Sequence, residues 1–323
     1  MAMFVADVGG TNIRLAQIKN GALVHIKKYV CRDFKSINIV LEQYFSSFPD
    51  LTFTAGCLGV ACPVSGDVID ITNNHWQFSI SQLQADLGLS RLEVINDFTA
   101  VAHAVTALNP QQREQIGQGQ SEALDNIAVF GPGTGLGVKH LTHSNEGWWV
   151  LDGEGGHVDF APVDAVDMAI WQFLTEKLGH VSTEEVLSGR GLVHIYQAIA
   201  RHQGLDKSAA SLDEAADITE MALDRSCNLC VATLTQFCKI LGSFAGNLAL
   251  NLGARGGVYI GGGIAPRFTN FIKQSEFRAR FEAKGRLRDY VVSIPTFIIT
   301  EPDHGLIGAM AYLNQKLEVK CND

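Results

Sequence analysis

Three short glycine clusters, each placed directly after an apolar run of strand length, constrain this chain more than any other feature. Gly9-Gly10 follows the run at residues 3–7. Gly131-Pro132-Gly133-Thr134-Gly135 follows residues 127–130, and Gly261-Gly262-Gly263 follows residues 258–260. Glycine has no Cβ, so the chain can turn sharply at a strand end and bring its backbone N–H groups close to an anionic ligand. Glycine supplies 32 of the 323 residues, above the usual share of roughly 7%. With 46% hydrophobic residues, the chain has ample core material, and its length suggests about two domains. A disordered tail, a disulfide-stapled miniprotein and a collagen-like repeat are excluded.

Charge narrows the partners. Twenty-five basic against 34 acidic residues give a formal charge of −9, and no Lys/Arg-rich run offers a footprint for a nucleic-acid backbone. A nucleotide remains compatible, because backbone amides bind phosphate without a basic protein. The start of the chain lacks a basic region, and no clean run of about 18 apolar residues suggests a membrane span. The seven cysteines, Cys31, Cys57, Cys62, Cys227, Cys230, Cys238 and Cys321, are irregularly spaced among apolar neighbours. They point to reduced thiols in a cytoplasmic protein. Cys227-x-x-Cys230 is compatible with redox chemistry or half a zinc site. It lies in a long helical pattern with no second pair, which favours core or surface thiols.

The pattern predicts a three-stranded antiparallel start, with Asn20-Gly21 as the second turn. Strands at 53–62 and 68–71 follow, then a helix at 80–87, a strand at 92–96 and a helix at 98–108. A similar grammar restarts with a strand at 127–130, a glycine turn, and strands at 136–142 and 148–151. Helices are predicted at 164–178, 182–187 and 192–202, with Ser182 and Glu185 as a capping box for the middle one. A long helical pattern at 218–252 is expected to break near Gly242 or Gly246. Strands at 258–260 and 291–299 precede a closing helix from about Leu306. Two halves thus share one organisation, divided near Asn109-Pro110.

Local chemistry leaves alternatives at each motif. Asp7-Val8-Gly9-Gly10-Thr11-Asn12 fits a phosphate-holding hairpin with Asp7 near Mg²⁺ through water, or an ordinary hairpin. The segment from Gly131 to Gly137 fails the dinucleotide pattern G-x-G-x-x-G, and no P-loop occurs. Gly261-Gly262-Gly263 offers a flat surface for a purine, or only a tight turn. Asp97 suits a base at the carboxyl end of a strand, or a helix N-cap. The loop at 151–159 carries Glu154, His157 and Asp159, suited to a polyhydroxyl ligand, to a metal, or to plain solvation. Glu184 either caps a helix or points into a site.

Taken together and in order, Asp7-Val8-Gly9-Gly10-Thr11-Asn12, Asn96-Asp97-Phe98-Thr99-Ala100, Gly133-Thr134-Gly135-Leu136-Gly137, Gly153-Glu154-Gly155-Gly156-His157-Val158-Asp159 and Gly261-Gly262-Gly263-Ile264 resemble the bacterial glucokinase family, and the resemblance spans nearly the whole chain. It implies an α/β, two-domain actin-like ATPase (ribonuclease H-like) fold with an inter-domain cleft. The small domain would comprise residues 1–108 plus about 299–318, and the large domain 109–298. It implies ATP-dependent phosphorylation of D-glucose at its 6-hydroxyl, with Mg²⁺, usually in a homodimer. Carried over by motif, Asp97 is the catalytic base, and Asn96, Glu154, His157 and Glu184 bind the sugar. Ala6, Asp7, Val8, Gly9, Gly10 and Thr11, with Gly133, Thr134 and Gly135, hold phosphates. Gly261, Gly262 and Gly263 lie beside adenosine. Ala6 and Pro132 stand where the family has Gly and often Ala, and no functional side chain is lost. The cysteine-rich zinc motif of the related ROK kinases is missing after His157, so structural zinc is not expected. The rival readings are a kinase of another hexose, a non-enzymatic sugar sensor, and an ATPase of the chaperone or filament kind. The sensor would need a DNA-binding helix pair ahead of Asp7, and the sugar-type loop argues against the ATPase.

Overall fold

A computed structural model describes residues 2–72, 74–205 and 211–319, which leaves Cys321 outside the described residues. Two main sheets carry the chain. The first contains β1 (Ala2–Val8), β2 (Asn12–Lys19), β3 (Ala22–Val30), β4 (Phe53–Val60) and β7 (Arg91–Asn96), in the order β3-β2-β1-β4-β7. A small hairpin of β5 (Val68–Asp70) and β6 (Gln77–Ser79) stands apart from it. β1 to β3 are antiparallel, whereas β4 and β7 run parallel to β1. Asn20 and Gly21, both at positive φ, make the tight turn between β2 and β3.

The second sheet contains β8 (Arg113–Ile116), β9 (Ile127–Pro132), β10 (Leu136–Ser144), β11 (Gly147–Leu151), β12 (Gly257–Ile260) and β13 (Thr296–Ile299). Its order is β11-β10-β9-β12-β13-β8. β10 is antiparallel to β9, while β12 and β13 extend the sheet in parallel from it. Apart from the extra edge strand β8, this repeats the first sheet strand for strand. The repeated grammar of the sequence is a repeated topology.

Among the described residues, 2–110, 144–150 and 301–319 form one compact unit, and 111–143 with 151–300 form another. In the first unit, α1 (Ile37–Ser46) and α2 (Ile80–Asp86) accompany one apolar core, where Phe45 and Phe53 stack with ring centroids 4.4 Å apart and Phe4 meets both edge-on, at 4.9 Å and 6.1 Å. A second core joins α3 (Asp97–Ala104) to the C-terminal helix His304–Val319. The two helices meet so closely that a Cβ on Gly308 would lie 1.7 Å from the Ala100 carbonyl oxygen. Glycine at 308 therefore sets where α3 lies, and with it the position of Asp97 at its first turn.

The second unit has one large core, built on α4 (Ala165–Leu178), α5 (Gly189–His202), α6 (Ala215–Leu223), α7 (Asn228–Leu252), α8 (Thr269–Gln274), α9 (Phe277–Glu282) and α10 (Arg288–Val292). Several expectations change here. The pattern at 218–252 breaks at residues 224–227, and α7 runs unbroken through Gly242 and Gly246. Gly242 is there for packing, since its Cβ would fall 2.1 Å from the Phe277 carbonyl oxygen at the start of α9. Residues 182–187 give only a 3₁₀ turn, Thr183–Glu185, and Ser182 makes no capping bond. The capping box belongs instead to Asp164 and Asp167 at α4. The run at 291–299 is strand only from Thr296, because α10 occupies 288–292 and Pro295 cannot donate to a ladder. The pattern also passed over α1, β6, β8, α8 and α9. α7 is long and apolar enough to cross a membrane, but most of it is buried in this core.

Candidate active site

In the first unit, the β1–β2 turn is three residues long, and the Gly9 N–H donates to the Asn12 carbonyl at 2.9 Å. Asp7 lies opposite Arg14 in the hairpin register, so both side chains share one face. The Arg14 guanidinium stands 3.2 Å from the Asp7 carboxylate. It also donates to Asp303 Oδ1 at 3.0 Å and to the Pro302 carbonyl at 2.8 Å. Burial raises the Asp7 pKa; Arg14 and His304 oppose it, Asp303 adds to it, and the net shift is upward. Ala6 and Val8 are buried in the core and leave only backbone for a ligand.

Val8, Val60 and Asn96 are in register across three parallel strands, so the turn after β1 and the start of α3 leave the same carboxyl edge of the sheet. Two strand spacings, roughly 10 Å, separate them. Asn96 is the N-cap of α3, its Oδ1 accepting from the N–H groups of Phe98 at 3.0 Å and Thr99 at 3.2 Å. The capping role considered for Asp97 thus falls to its neighbour. Asn96 Nδ2 donates to the Cys62 carbonyl at 3.2 Å and to Asp97 Oδ1 at 2.9 Å. Asp97 Oδ1 also accepts from the Phe98 N–H at 2.8 Å. No described residue donates to its Oδ2. One oxygen is thus held by two donors, which fixes the orientation of the carboxylate. Burial raises the Asp97 pKa, with Asp7 adding to the shift and the bonds from Phe98 and Asn96 opposing it.

The second unit repeats the three-residue turn, with the Gly133 N–H donating to the Gly135 carbonyl at 2.8 Å. The third glycine cluster leaves the adjacent strand β12 at the same edge, and the Gly261 N–H continues the ladder to the Phe130 carbonyl at 2.8 Å. The two clusters touch backbone to backbone. A Cβ on Gly131 would lie 2.7 Å from the carbonyl carbon of Gly261, and one on Gly262, at φ +78°, would lie 2.5 Å from the Pro132 carbonyl oxygen. Gly133 and Gly263 instead face open space. The glycine triplet is therefore partly a packing device and partly an open surface.

Glu184 sits on the 3₁₀ turn Thr183–Glu185 and reaches the second glycine turn, where Oε2 accepts from the Leu136 N–H at 2.9 Å. Its other oxygen lies 3.3 Å from Arg190, which also pairs with Glu185 at 2.8 Å. Glu154 and His157 bracket another 3₁₀ turn, closed by the His157 N–H donating to the Glu154 carbonyl at 3.0 Å, and both side chains are exposed. Asp152 pairs with Lys139, and Asp159 with His180, each at 2.8 Å. Among the described residues, no three His, Cys, Asp or Glu side chains converge as a metal site.

Arg14 escaped the motif reading, yet counting the hairpin register outward from Gly9-Gly10 places it opposite Asp7. Arg190 and the Cys62 carbonyl carried no such signal, because their contacts depend on tertiary packing.

The family model described as Glucokinase matches residues 4–316. The chain is 50% identical over 315 residues to a glucokinase of Colwellia psychrerythraea, covering 96% of each protein. Its structure is similar to that of a glucokinase from an Antarctic psychrotroph, with a TM-score of 0.91, 39% identity, and 97% and 98% of the two chains covered. It is also similar to a glucokinase of Balamuthia mandrillaris solved in complex with glucose, with a TM-score of 0.79, 25% identity, and 97% and 93% covered. With paired sheets of the actin-like ATPase type, and with motif, sequence and structure agreeing over almost the full length, the chain belongs to the glucokinase family.

Proposed function

We propose that this chain transfers the γ-phosphoryl group of ATP to the 6-hydroxyl of D-glucose, with Asp97 as the base. The observation that carries the reading is the divided carboxylate of Asp97, at a strand's carboxyl end and level with a glycine turn. As the 6-oxygen bonds to the γ-phosphorus and the bond to the bridging oxygen breaks to release ADP, the hydroxyl grows more acidic and Asp97 Oδ2 takes its proton. Asn96 and the Phe98 N–H hold the other oxygen and so fix the direction of that transfer.

Glu154, His157 and Glu184 supply acceptors for sugar hydroxyls, and Asn96 adds an amide beside them. Backbone N–H groups of the turns at Gly9–Thr11 and Gly133–Gly135 stabilise phosphate oxygens, and Gly261–Gly263 lies along the nucleoside. Asp7 fits Mg²⁺, which keeps most of its water and needs few protein carboxylates. Bound there, Mg²⁺ would neutralise charge on the β- and γ-phosphates. The enzyme is proposed to work in the cytoplasm and as a homodimer, and sedimentation of the pure protein tests the dimer.

A coupled assay with ATP across a panel of hexoses tests the reading. Turnover is expected with glucose at the highest kcat/KM. A preference for another hexose would replace the substrate, and no turnover with any hexose would overturn the proposal.

A further inference from the structure

Cys227-x-x-Cys230 takes no part in phosphoryl transfer, and its placement differs from the mid-helix position the sequence pattern suggested. Cys227 is the N-cap of the 25-residue α7, with extended backbone at φ −134° and ψ 115°, and Cys230 lies in the first turn. The Cys230 N–H donates to Cys227 Sγ at 3.5 Å. Cys227 is partly exposed, whereas Cys230 is buried. The preceding turn is fixed by the Ser226 N–H donating to Asp224 Oδ1 at 2.8 Å, with Arg225 at φ +60°. Residues three apart at a helix start are neighbours on one face, the placement of the Cys-x-x-Cys pairs that exchange between dithiol and disulfide.

We propose that Cys227 and Cys230 form a reversible dithiol–disulfide site, with Cys227 the attacking thiol, Cys230 the resolving thiol and a hydroperoxide the oxidant. The Cys227 thiolate attacks one peroxide oxygen, the O–O bond breaks, and hydroxide leaves Cys227 as a sulfenic acid. Cys230 Sγ then attacks Cys227 Sγ, the S–S bond forms, the S–O bond breaks, and the Cys230 proton leaves with the oxygen as water. Two thiols give up two electrons, and hydrogen peroxide accepts them to yield two waters.

The division of labour follows from the surroundings. Burial acts to raise the Cys227 thiol, but the N–H groups of Cys230 and Leu229 and the Cys230 thiol outweigh it, so its pKa falls. The aligned peptide dipoles of α7 add to that preference for thiolate. Burial and the bond to Cys227 push Cys230 up to about 12, so it stays protonated until a sulfenic acid forms beside it. Burial likewise raises Cys31, Cys57, Cys62 and Cys238, which keeps them out of the reaction.

The full-length enzyme is treated with hydrogen peroxide, quenched with iodoacetamide and digested with trypsin. The peptide spanning residues 226–239 also contains Cys238, so fragmentation must place the bond. The expected result is a mass loss of about 2 Da between Cys227 and Cys230, reversed by dithiothreitol. In Cys230→Ser, Cys227 should persist as a sulfenic acid captured by dimedone, while kinase activity and melting temperature stay near those of the parent. Without oxidant, Cys227 should be alkylated several-fold faster than glutathione at pH 7. No bond, a bond that uses Cys238, or alkylation no faster than glutathione would overturn the proposal.

Discussion

The β1–β2 and β9–β10 turns are the same device with different chemistry. Each has three residues, each is closed by the N–H of its first glycine, and each leaves the central strand of a sheet with the same strand order. The residue just before the last one of β1 is Asp7, and the equivalent residue of β9 is Gly131. A side chain at 131 is excluded because the backbone of Gly261–Gly262 occupies its space. The first turn is braced by an ion pair with Arg14, and the second by the Glu184 carboxylate on the Leu136 N–H. The first copy thus carries its own carboxylate at the strand end, whereas the second has glycine there and takes its carboxylate from Glu184, far along the chain.

The largest effect should come from the charged side. Asp97→Asn is expected to lower kcat by about 10²–10⁴ while leaving glucose affinity nearly unchanged. A near-normal kcat would remove Asp97 from the reaction. The pH profile follows from its raised pKa. The base works when ionised, so kcat/KM should fall as pH drops through a value above the ordinary 3.8. For stability the sign is opposite. A native state that binds this proton more tightly than the unfolded chain loses stability as pH rises through the raised pKa. At neutral pH the ionised carboxylate therefore costs stability, and Asp97→Asn should melt at the same temperature as the parent or higher. Asp7→Ala comes next, with kcat expected to fall about tenfold or more and the Mg²⁺ needed for half-maximal rate to rise. An unchanged Mg²⁺ dependence would place the ion elsewhere.

Paired glycine substitutions sharpen the comparison between the turns. Gly131→Ala forces backbone apart and should cost about 1–3 kcal/mol in thermal or urea unfolding. Gly9→Ala meets only the Asn12 carbonyl at 3.5 Å, an ordinary contact, and should stay within about 0.5 kcal/mol of the parent. Equal losses would mean that the close packing of the second and third clusters does not govern the site.

These contrasts also explain what could be read from the chain itself. Strand–glycine–strand grammar revealed the repeated sheets because period-two burial and tight turns are local signals. Asp97 and the glycine clusters were legible for the same reason. Residues 224–227 broke the long helix where Asp224, Arg225 and Ser226 form a turn, while Gly242, the expected break, stays helical because α9 packs against it. Glycine alone does not report whether it ends a helix or admits a neighbour. The link from Glu184 to Leu136 was equally hidden, since it joins residues 48 apart through tertiary packing.

That link provides the finest test of the second turn. In Glu184→Ala the Leu136 N–H loses its acceptor and the turn loses its brace, so the KM for ATP should rise about two- to tenfold, the equivalent of one hydrogen bond. Glu184→Gln keeps an amide oxygen that can accept the same N–H, and should restore the KM for ATP. It gives up the negative charge that a sugar hydroxyl would donate to, so glucose affinity measured by calorimetry should remain weakened. A variant pair in which both substrates shift together would show that Glu184 acts only through general packing. A split between Ala and Gln for ATP, with no split for glucose, would separate its bracing of the turn from its contact with the sugar.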